Sequence, residues 1–496
     1  MNHSSVDLLE TVEDLENLET EMTQKPKETT PLPLRQMMMI FIVTFVEPVQ
    51  FGVIFPFVYF MVKDFGIAKD DRSLGVYVGM LSSVFCVAQL FTSLPWGWVS
   101  DRVGRRPVII IGLLGNAVFC TLFGSSKTFA FAMVMRSLCG FLNGNVGVVK
   151  SMIGELTDSS NRGLAFAFWQ TAYGLGAIVG PMLGGLLVNP VEQFPGIFGN
   201  SQLFKEYPYL LPCLVGSFFS IVGAILGILL LEETLKTKST RSSISNSTFN
   251  EEEMPLLQDE CIDIPEENLT FKQTMTKEVQ LSILLYGIWC LINIIYEEVY
   301  TLFVAEPLSA GGLQFTAFDI GTTLSISGFV ELFGQIVIFP MLLKCLSLVN
   351  VFRISAALMA IFSIALPFCS DFARSLINTG TSEYTPEQKS AVFWLLFLLL
   401  AGKTLASVTG YIPVIMFVND SAPTSSTLGT VHGCGQMTAS FMRGVGPIIG
   451  GSLWSWSLSN NLYFPFDHHF TFGVVALLSV LGIVQSYRLE KNLRKQ

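Results

Sequence analysis

Seven ionisable residues sit inside long apolar runs of this chain: Glu47, Arg136, Glu297, Glu298, Glu331, Lys403 and Arg443. Ionisable groups at such depth are expensive to keep and mark function by default. A low dielectric disfavours the charged form of a carboxyl, so such a group can bind and release a proton near neutral pH. That is the chemistry a proton-coupled device needs. Glu298 follows Glu297 by one residue and points about 100° away from it on a helix, where it can pair with Lys403 or Arg443. The competing reading, that Glu47, Glu297, Glu298, Glu331, Lys403 and Arg443 are structural ion pairs, stays open on the residues alone.

Other chemistries find little support. The nine cysteines are scattered without metal-ligand or redox spacing. No Ser/His pairing, catalytic His/Asp cluster or phosphate-cradling glycine loop appears, and a Walker-type motif is missing, so neither an enzyme nor ATP drive is expected. The triplet Asp467-His468-His469 can ligate a metal weakly. Adjacent residues chelate poorly compared with helical spacing, and nothing else in the sequence completes a site. The expectation there is an ordinary interfacial loop, with no metal and no cofactor.

The composition says where such residues must be held. The chain has 496 residues, 51% hydrophobic and 14% charged, with a mean hydropathy of +0.54. Soluble domains carry about 25% charged residues, so a soluble enzyme is excluded, and the apolar content excludes disorder for most of the length. The net charge of −10 is concentrated in residues 1–35 and 232–277, each at −5. No basic patch points to nucleic acid.

A membrane-crossing helix needs about 20 mostly apolar residues. Runs of that kind lie near 37–62, 75–99, 107–125, 129–152, 164–188 and 208–231. After a polar break they resume at 279–304, 317–342, 349–369, 391–418, 430–456 and 469–488. The expected fold is an all-α membrane protein with twelve transmembrane helices in two six-helix halves. Its segments are an acidic tail (1–35), a first half (36–231), a disordered linker (232–277), a second half (278–490) and a short tail (491–496). With both termini cytosolic, 19 of the 29 Lys and Arg fall in inside segments and seven outside, as the positive-inside rule requires. In the linker, Ser239, Thr240, Ser242 and Ser243 are candidate phosphorylation sites beside the simpler reading of an inert tether. The sequons at Asn246 and Asn268 would face the cytosol unglycosylated.

The halves repeat. Gly180-Pro181-x-x-Gly184-Gly185 recurs 266 residues later as Gly446-Pro447-x-x-Gly450-Gly451, and Ser159-Ser160-x-x-Gly163 and Gln170 recur in the same register. Two parallel six-helix repeats are a transporter pattern. Gly176, four residues before Gly180, extends a small-residue face that lets helices touch backbone to backbone. Pro181 interrupts the hydrogen bonding of its helix. Between the second and third runs stands Gly97-x-x-x-Asp101-Arg102-x-Gly104-Arg105-Arg106. Gly97 would permit close helix approach and Gly104 a tight turn. Asp101 can pair with an Arg or face a helix N-terminus as a latch. A plain positive-inside turn is the simpler alternative.

This last motif resembles the cytoplasmic loop motif of the major facilitator superfamily, and the resemblance extends over nearly all of residues 36–490. Two longer stretches, Leu187–Pro195 with Tyr207–Cys213, and Arg443–Pro447 through Asp467, resemble the zinc-induced facilitator-like group of plants and fungi. The resemblance implies a proton-coupled secondary transporter of a small solute or cation, working by alternating access. The glycine–proline motif looks like the antiporter motif of the superfamily. The first span would line the central cavity, which makes Glu47 the leading proton carrier and Glu297, in its repeat partner, the second. Arg136 matches an Arg that sits near the proton-handling site; a structural hydrogen-bond donor is the alternative. A monomer is expected, with an internal membrane such as that of the vacuole favoured over the plasma membrane. The rival reading is a non-transporting membrane sensor or receptor with a transporter fold.

Overall fold

The computed structural model describes residues 30–68, 70–157, 161–235, 270–376, 384–424, 427–460 and 462–493. Most of the tail, most of the linker with its serines and sequons, and the repeated serine pairs at 159 and 425 lie outside the described residues. Those described form helices and turns, with no strand among them.

The principal helices are α1 (Leu34–Gly52), α2 (Leu74–Val103), α3 (Arg105–Gly124), α4 (Phe129–Leu142), α5 (Asn145–Leu156), α6 (Arg162–Leu187) and α7 (Leu210–Leu230). After the linker come α8 (Lys277–Ala305), α9 (Ala317–Phe333), α10 (Leu348–Ala365), α11 (Phe368–Leu376), α12 (Pro386–Asp420), α13 (Leu428–Ser459) and α14 (Phe470–Leu493). Ten helical stretches are long and apolar enough to cross a membrane, and they fall on ten of the twelve expected spans. The fifth and eleventh expected spans are α6 and α13, of 26 and 32 residues. Both exceed a bilayer's thickness, but glycine and polar residues dilute their apolarity. Outward-facing Phe91, Phe218 and Leu229 are exposed large apolar side chains, as lipid contact requires.

Several spans that read as continuous are broken. The fourth splits at Asn143–Gly144 into α4 and α5. The first stops at Gly52 and resumes at Val58–Asp64, around Pro56. The eighth continues from α9 through a π-helical turn, Gly334–Ile338. The ninth breaks into α10 and α11 at Pro367. Irregular backbone at membrane depth is tolerated only where protein or a water-filled cavity satisfies it.

Side-chain contacts fix which connections share an end. Asn161 donates to the Thr30 carbonyl, Gln36 to the Leu230 carbonyl, and the Glu233 carboxylate accepts from the Arg105 amide. The chain start, the α2–α3 turn and the exit of α7 therefore share the terminal end. Tyr209 donates to Asp64 and Lys127 pairs with Glu206 at the opposite, far end.

The two helical groups meet most closely at the far end. A continuous apolar core joins them, with Phe57, Leu81 and Phe123 of the first group and Trp289, Phe303 and Trp454 of the second, and it runs on through the second group to Val279, Val418 and Leu489. At the terminal end the first group has a separate core, with Met37, Ile109 and Met152.

The far-end contact is built from glycine. A Cβ at Gly185 would lie 2.6 Å from the Ala317 carbonyl oxygen, and one at Gly321 would lie 2.6 Å from that of Pro181. The repeat does the same on the other side: a Cβ at Gly79 would strike the Pro447 carbonyl, and one at Gly451 the Gly75 carbonyl. The opposite face of each motif packs within its own group. Gly176, Gly180 and Gly184 back onto Phe45, Val49 and Val53 of the first span, while Gly446 and Gly450 back onto Ile294 and Val299 of α8. The two copies make equivalent seams, α6 against α9 and α13 against α2.

Candidate functional site

The break in the fourth span lies beside Glu47. Asn143, the residue that ends α4, donates from Nδ2 to Glu47 Oε1 at 3.0 Å. Its carbonyl, outside the helical ladder, accepts from Gln89 Nε2 at 3.3 Å. Glu47 is half-buried in the middle of α1, just before Pro48. The cations whose fields reach it are Arg443 of α13 and Lys150 of α5. Lys150 stands at the edge of the fourth expected span and counts among the inside bases. The structure puts it on a helix, with its ammonium 5.0 Å from the Trp169 ring centroid.

Arg136 lines the same small pocket as Glu47, together with Gln50, Phe51, Asn116 and Asn143. No ion pair joins the two among the described residues. Arg136 is instead surrounded by rings, its guanidinium 4.5 Å from the Phe85 centroid and 5.7 Å from that of Phe51. Its Nε and Nη2 have no hydrogen-bond partner. Aromatic faces stabilise a cation without quenching its charge.

The second group contributes Glu297 and Glu331. Both side chains are exposed although each sits well inside its span, and Glu331 stands three residues before the π-helical turn. Tyr173 of α6, in the first group, lies within the electrostatic reach of Glu47, Glu297, Glu331 and Arg443, so these charges share the space between the groups. Lys403 is buried, with its ammonium 4.2 Å from the Tyr296 centroid, and it feels both Glu297 and Glu331. Arg443 is half-buried.

Glu298 departs from expectation. It does not pair with Lys403 or Arg443, because the 100° turn from Glu297 aims it at α2 instead of into the cleft. It is 1% exposed, lies beside Ser82, and its Oε1 has no hydrogen-bond partner.

The loop motif builds a network around one buried guanidinium. Arg105 pairs with Asp101 at 2.5 Å and with Glu155 of α5 at 2.9 Å, and its Nη1 donates to Ser100 Oγ at 2.6 Å. The N-terminus of α3 is occupied by Glu233, which accepts from the Arg105 and Arg106 amides at 2.8 and 3.1 Å. A carboxylate there is favoured by the helix dipole, so of the two places open to Asp101 the helix N-terminus goes to Glu233, and Asp101 pairs with Arg105. Arg106 donates to carbonyls at the end of α7, and Arg102 lies 3.7 Å from the Trp98 centroid. Gly104 has φ +113°, a region that favours glycine. Gly97 corrects the expectation of close approach: a Cβ there would meet open space. Glu155 and Glu233 carry no motif, and only the structure finds them.

In the connection before α14, burial beside His469 pulls His468 down to about 4, so that ring is neutral at physiological pH. Burial works against ionised Asp467, but hydrogen bonds from the His469 backbone and ring hold it below the usual carboxylate range.

Residues 40–451 match the family model of the Major Facilitator Superfamily. The chain belongs to this superfamily. It is an integral, multi-pass membrane transporter of small molecules and not an enzyme. It is 29% identical to Protein ZINC INDUCED FACILITATOR-LIKE 1 of Arabidopsis thaliana over 92% of this chain and 91% of that protein. It is 27% identical to the major facilitator superfamily multidrug transporter mfsB of Aspergillus fumigatus, over 93% and 84%. Among solved structures, a bacterial homologue of the human lysosomal transporter Spinster, inward-facing and unoccupied, aligns with a TM-score of 0.66 at 11% identity, covering 94% of this chain and 99% of that one. That likeness concerns the superfamily fold.

Proposed function

We propose that this chain exchanges a small solute against protons by alternating access, with both termini in the cytosol. The observation that carries the reading is the charged cleft: Glu47, Glu297 and Glu331 share one space with Arg443, Lys403 and Lys150, closed at the far end by the glycine seams. A carboxylate that binds either a proton or a cationic substrate couples the two without further machinery. The multidrug transporter among the relatives supports a drug-like cargo. With the terminal end cytosolic, far-end closure corresponds to an inward-facing state, the state of the Spinster homologue.

The test is flux in reconstituted vesicles under an imposed pH gradient, screened over cations, metal chelates and cationic drugs. The expected result is gradient-driven uptake of at least one class that collapses with a protonophore. Flux indifferent to the gradient in every class would refute the antiport reading. For orientation, a tag inserted between residues 236 and 269 should react only with cytosolic reagents. Protease access to it from the outer or lumenal side would reverse the assignment.

In the same reading the Arg105 network stabilises one of the two states. Asp101 is 62% exposed, and exposed ion pairs contribute about 0–1 kcal/mol to folding. Asp101→Asn should therefore leave expression and melting near wild type while slowing transport. Unchanged transport by a well-expressed variant would remove Asp101 from the mechanism.

A further inference from the structure

At the far end of the second helical group, α11 and the turn before α14 bring together Asp371, His468 and His469. Their ligand atoms all lie within 4.8 Å of one another. The two histidines are 4% and 8% exposed, and the Nε2 atoms of both have no hydrogen-bond partner. Buried polar atoms are nearly always satisfied, and each exception requires an explanation. Here both atoms are aimed at one carboxylate: His468 Nε2 is 3.6 Å from Asp371 Oδ1, and His469 Nε2 is 3.2 Å from Asp371 Oδ2.

The other edges of the rings face a second carboxylate. His469 Nδ1 lies 2.8 Å from Asp467 Oδ1, and His468 Nδ1 lies 3.4 Å from Asp467 Oδ2. A carboxylate on Nδ1 keeps the proton there and leaves the Nε2 lone pair free, the outer-shell arrangement found behind metal-bound histidines. Two ligands, each about 2.0–2.2 Å from a tetrahedral Zn2+, stand roughly 3.3–3.6 Å apart. The His468 Nε2–Asp371 Oδ1 separation of 3.6 Å is at the upper edge of that range, and the His469 Nε2–Asp371 Oδ2 separation of 3.2 Å is just below it.

We propose that Asp371, His468 and His469 form a site for a first-row transition cation, Zn2+ being the simplest fit, with Asp467 orienting both rings. Nitrogen-rich donors with one carboxylate favour such ions over Mg2+ or Ca2+. Arg374 stands 3.5 Å from Asp371 Oδ1 and is anchored by its Nε on the Leu308 carbonyl at 3.1 Å. It lies beside Oδ1, and Oδ2, which faces His469 Nε2 at 3.2 Å, has no such neighbour among the ion pairs of the described residues. Its charge weakens the site without touching either Nε2. The rings of Phe368 and Phe464, 4.7 and 5.3 Å from that of His469, keep the nitrogens dry. Asp371, 42% exposed, gives the ion a route from the far face. Three protein ligands leave a fourth position open. All the residues belong to the second group, so the ion braces α11 against α14 and does not bridge the cleft. Binding is independent of whether the transporter uses protons.

The test uses the full chain, purified in detergent and stripped with a chelator, then titrated with Zn2+ by calorimetry, with Mg2+ as the hard-cation control. The expected result is one Zn2+ bound and no Mg2+, with a Zn2+-dependent rise in Tm. Asp371→Asn and His469→Gln each weaken binding at least about tenfold, and Asp467→Asn about 10–100-fold. Asp371→Asn alters an accessible side chain, so it keeps the apo Tm while losing the Zn2+-dependent rise. Two results would overturn the proposal: no binding by the wild type at about 100 µM Zn2+, or wild-type affinity in both Asp371→Asn and His469→Gln.

Discussion

Glu47→Gln abolishes proton-driven flux in reconstituted vesicles while the protein still inserts and folds. The substitution keeps the shape and the contact with Asn143, which reaches Glu47 Oε1 at 3.0 Å, but fixes the side chain in a neutral form that mimics the protonated state. The cations in its field, Arg443 and Lys150, then have no carboxylate to release when a substrate or a proton arrives. The expected loss is at least about tenfold, equivalent to roughly 1.4 kcal/mol or more of coupling. Exchange without a gradient can survive if the cargo does not need the charge. The companion variant Glu297→Gln separates the halves. If it alone loses the pH dependence and Glu47→Gln keeps it, the coupling carboxylate belongs to the second half.

The second large effect concerns the seams. In Gly451→Val the new side chain meets the Gly75 carbonyl, and the backbone on both sides leaves no flexible atom to yield. Overpacking of this kind costs about 1–3 kcal/mol. The cost falls on the closed far end and not on the first group's own terminal-end core. A bias of roughly 2 kcal/mol shifts a two-state ratio about thirty-fold. The variant should fold, populate the far-end-open state and transport at a small fraction of the wild-type rate. Distances between spin labels on the far ends of α2 and α13 report the shift. Unchanged distances would show that the seam does not gate. Gly321→Val should act alike against the Pro181 carbonyl, whereas Gly97→Ala, facing open space, should be silent.

Much of this architecture was legible because its signals are local. Long apolar runs, the 266-residue repeat and the Gly97–Arg106 motif each depend on neighbours in sequence; ten of the expected spans fall on candidate membrane helices, and the repeat supplies one side of each glycine seam. What escaped depends on distance in the chain. The break at Asn143–Gly144 reads as apolar helix until Gln89 and Glu47 are seen to use its polar groups. Lys150 counts only as a base at the edge of a span until α5 brings its charge within reach of Glu47. Glu233, which fills the N-terminus of α3, lies on the edge of the acidic linker with nothing to mark it. The adjacent histidines at 468 and 469 have no third partner in the sequence until Asp371 is seen to arrive from another helix. Glu298 shows the limit of helical geometry: the 100° offset from Glu297 was readable, but its destination at Ser82 was not.

The central claim is that carboxylates in the cleft exchange protons for cargo, and one measurement addresses it most directly. Vesicles containing the wild-type protein and a trapped pH dye are given a transported solute with no initial pH gradient. The account predicts a protein-dependent proton flow opposite to the solute, present in the wild type and absent in Glu47→Gln. Solute movement without any proton flow, or an equal proton flow in Glu47→Gln, would contradict it.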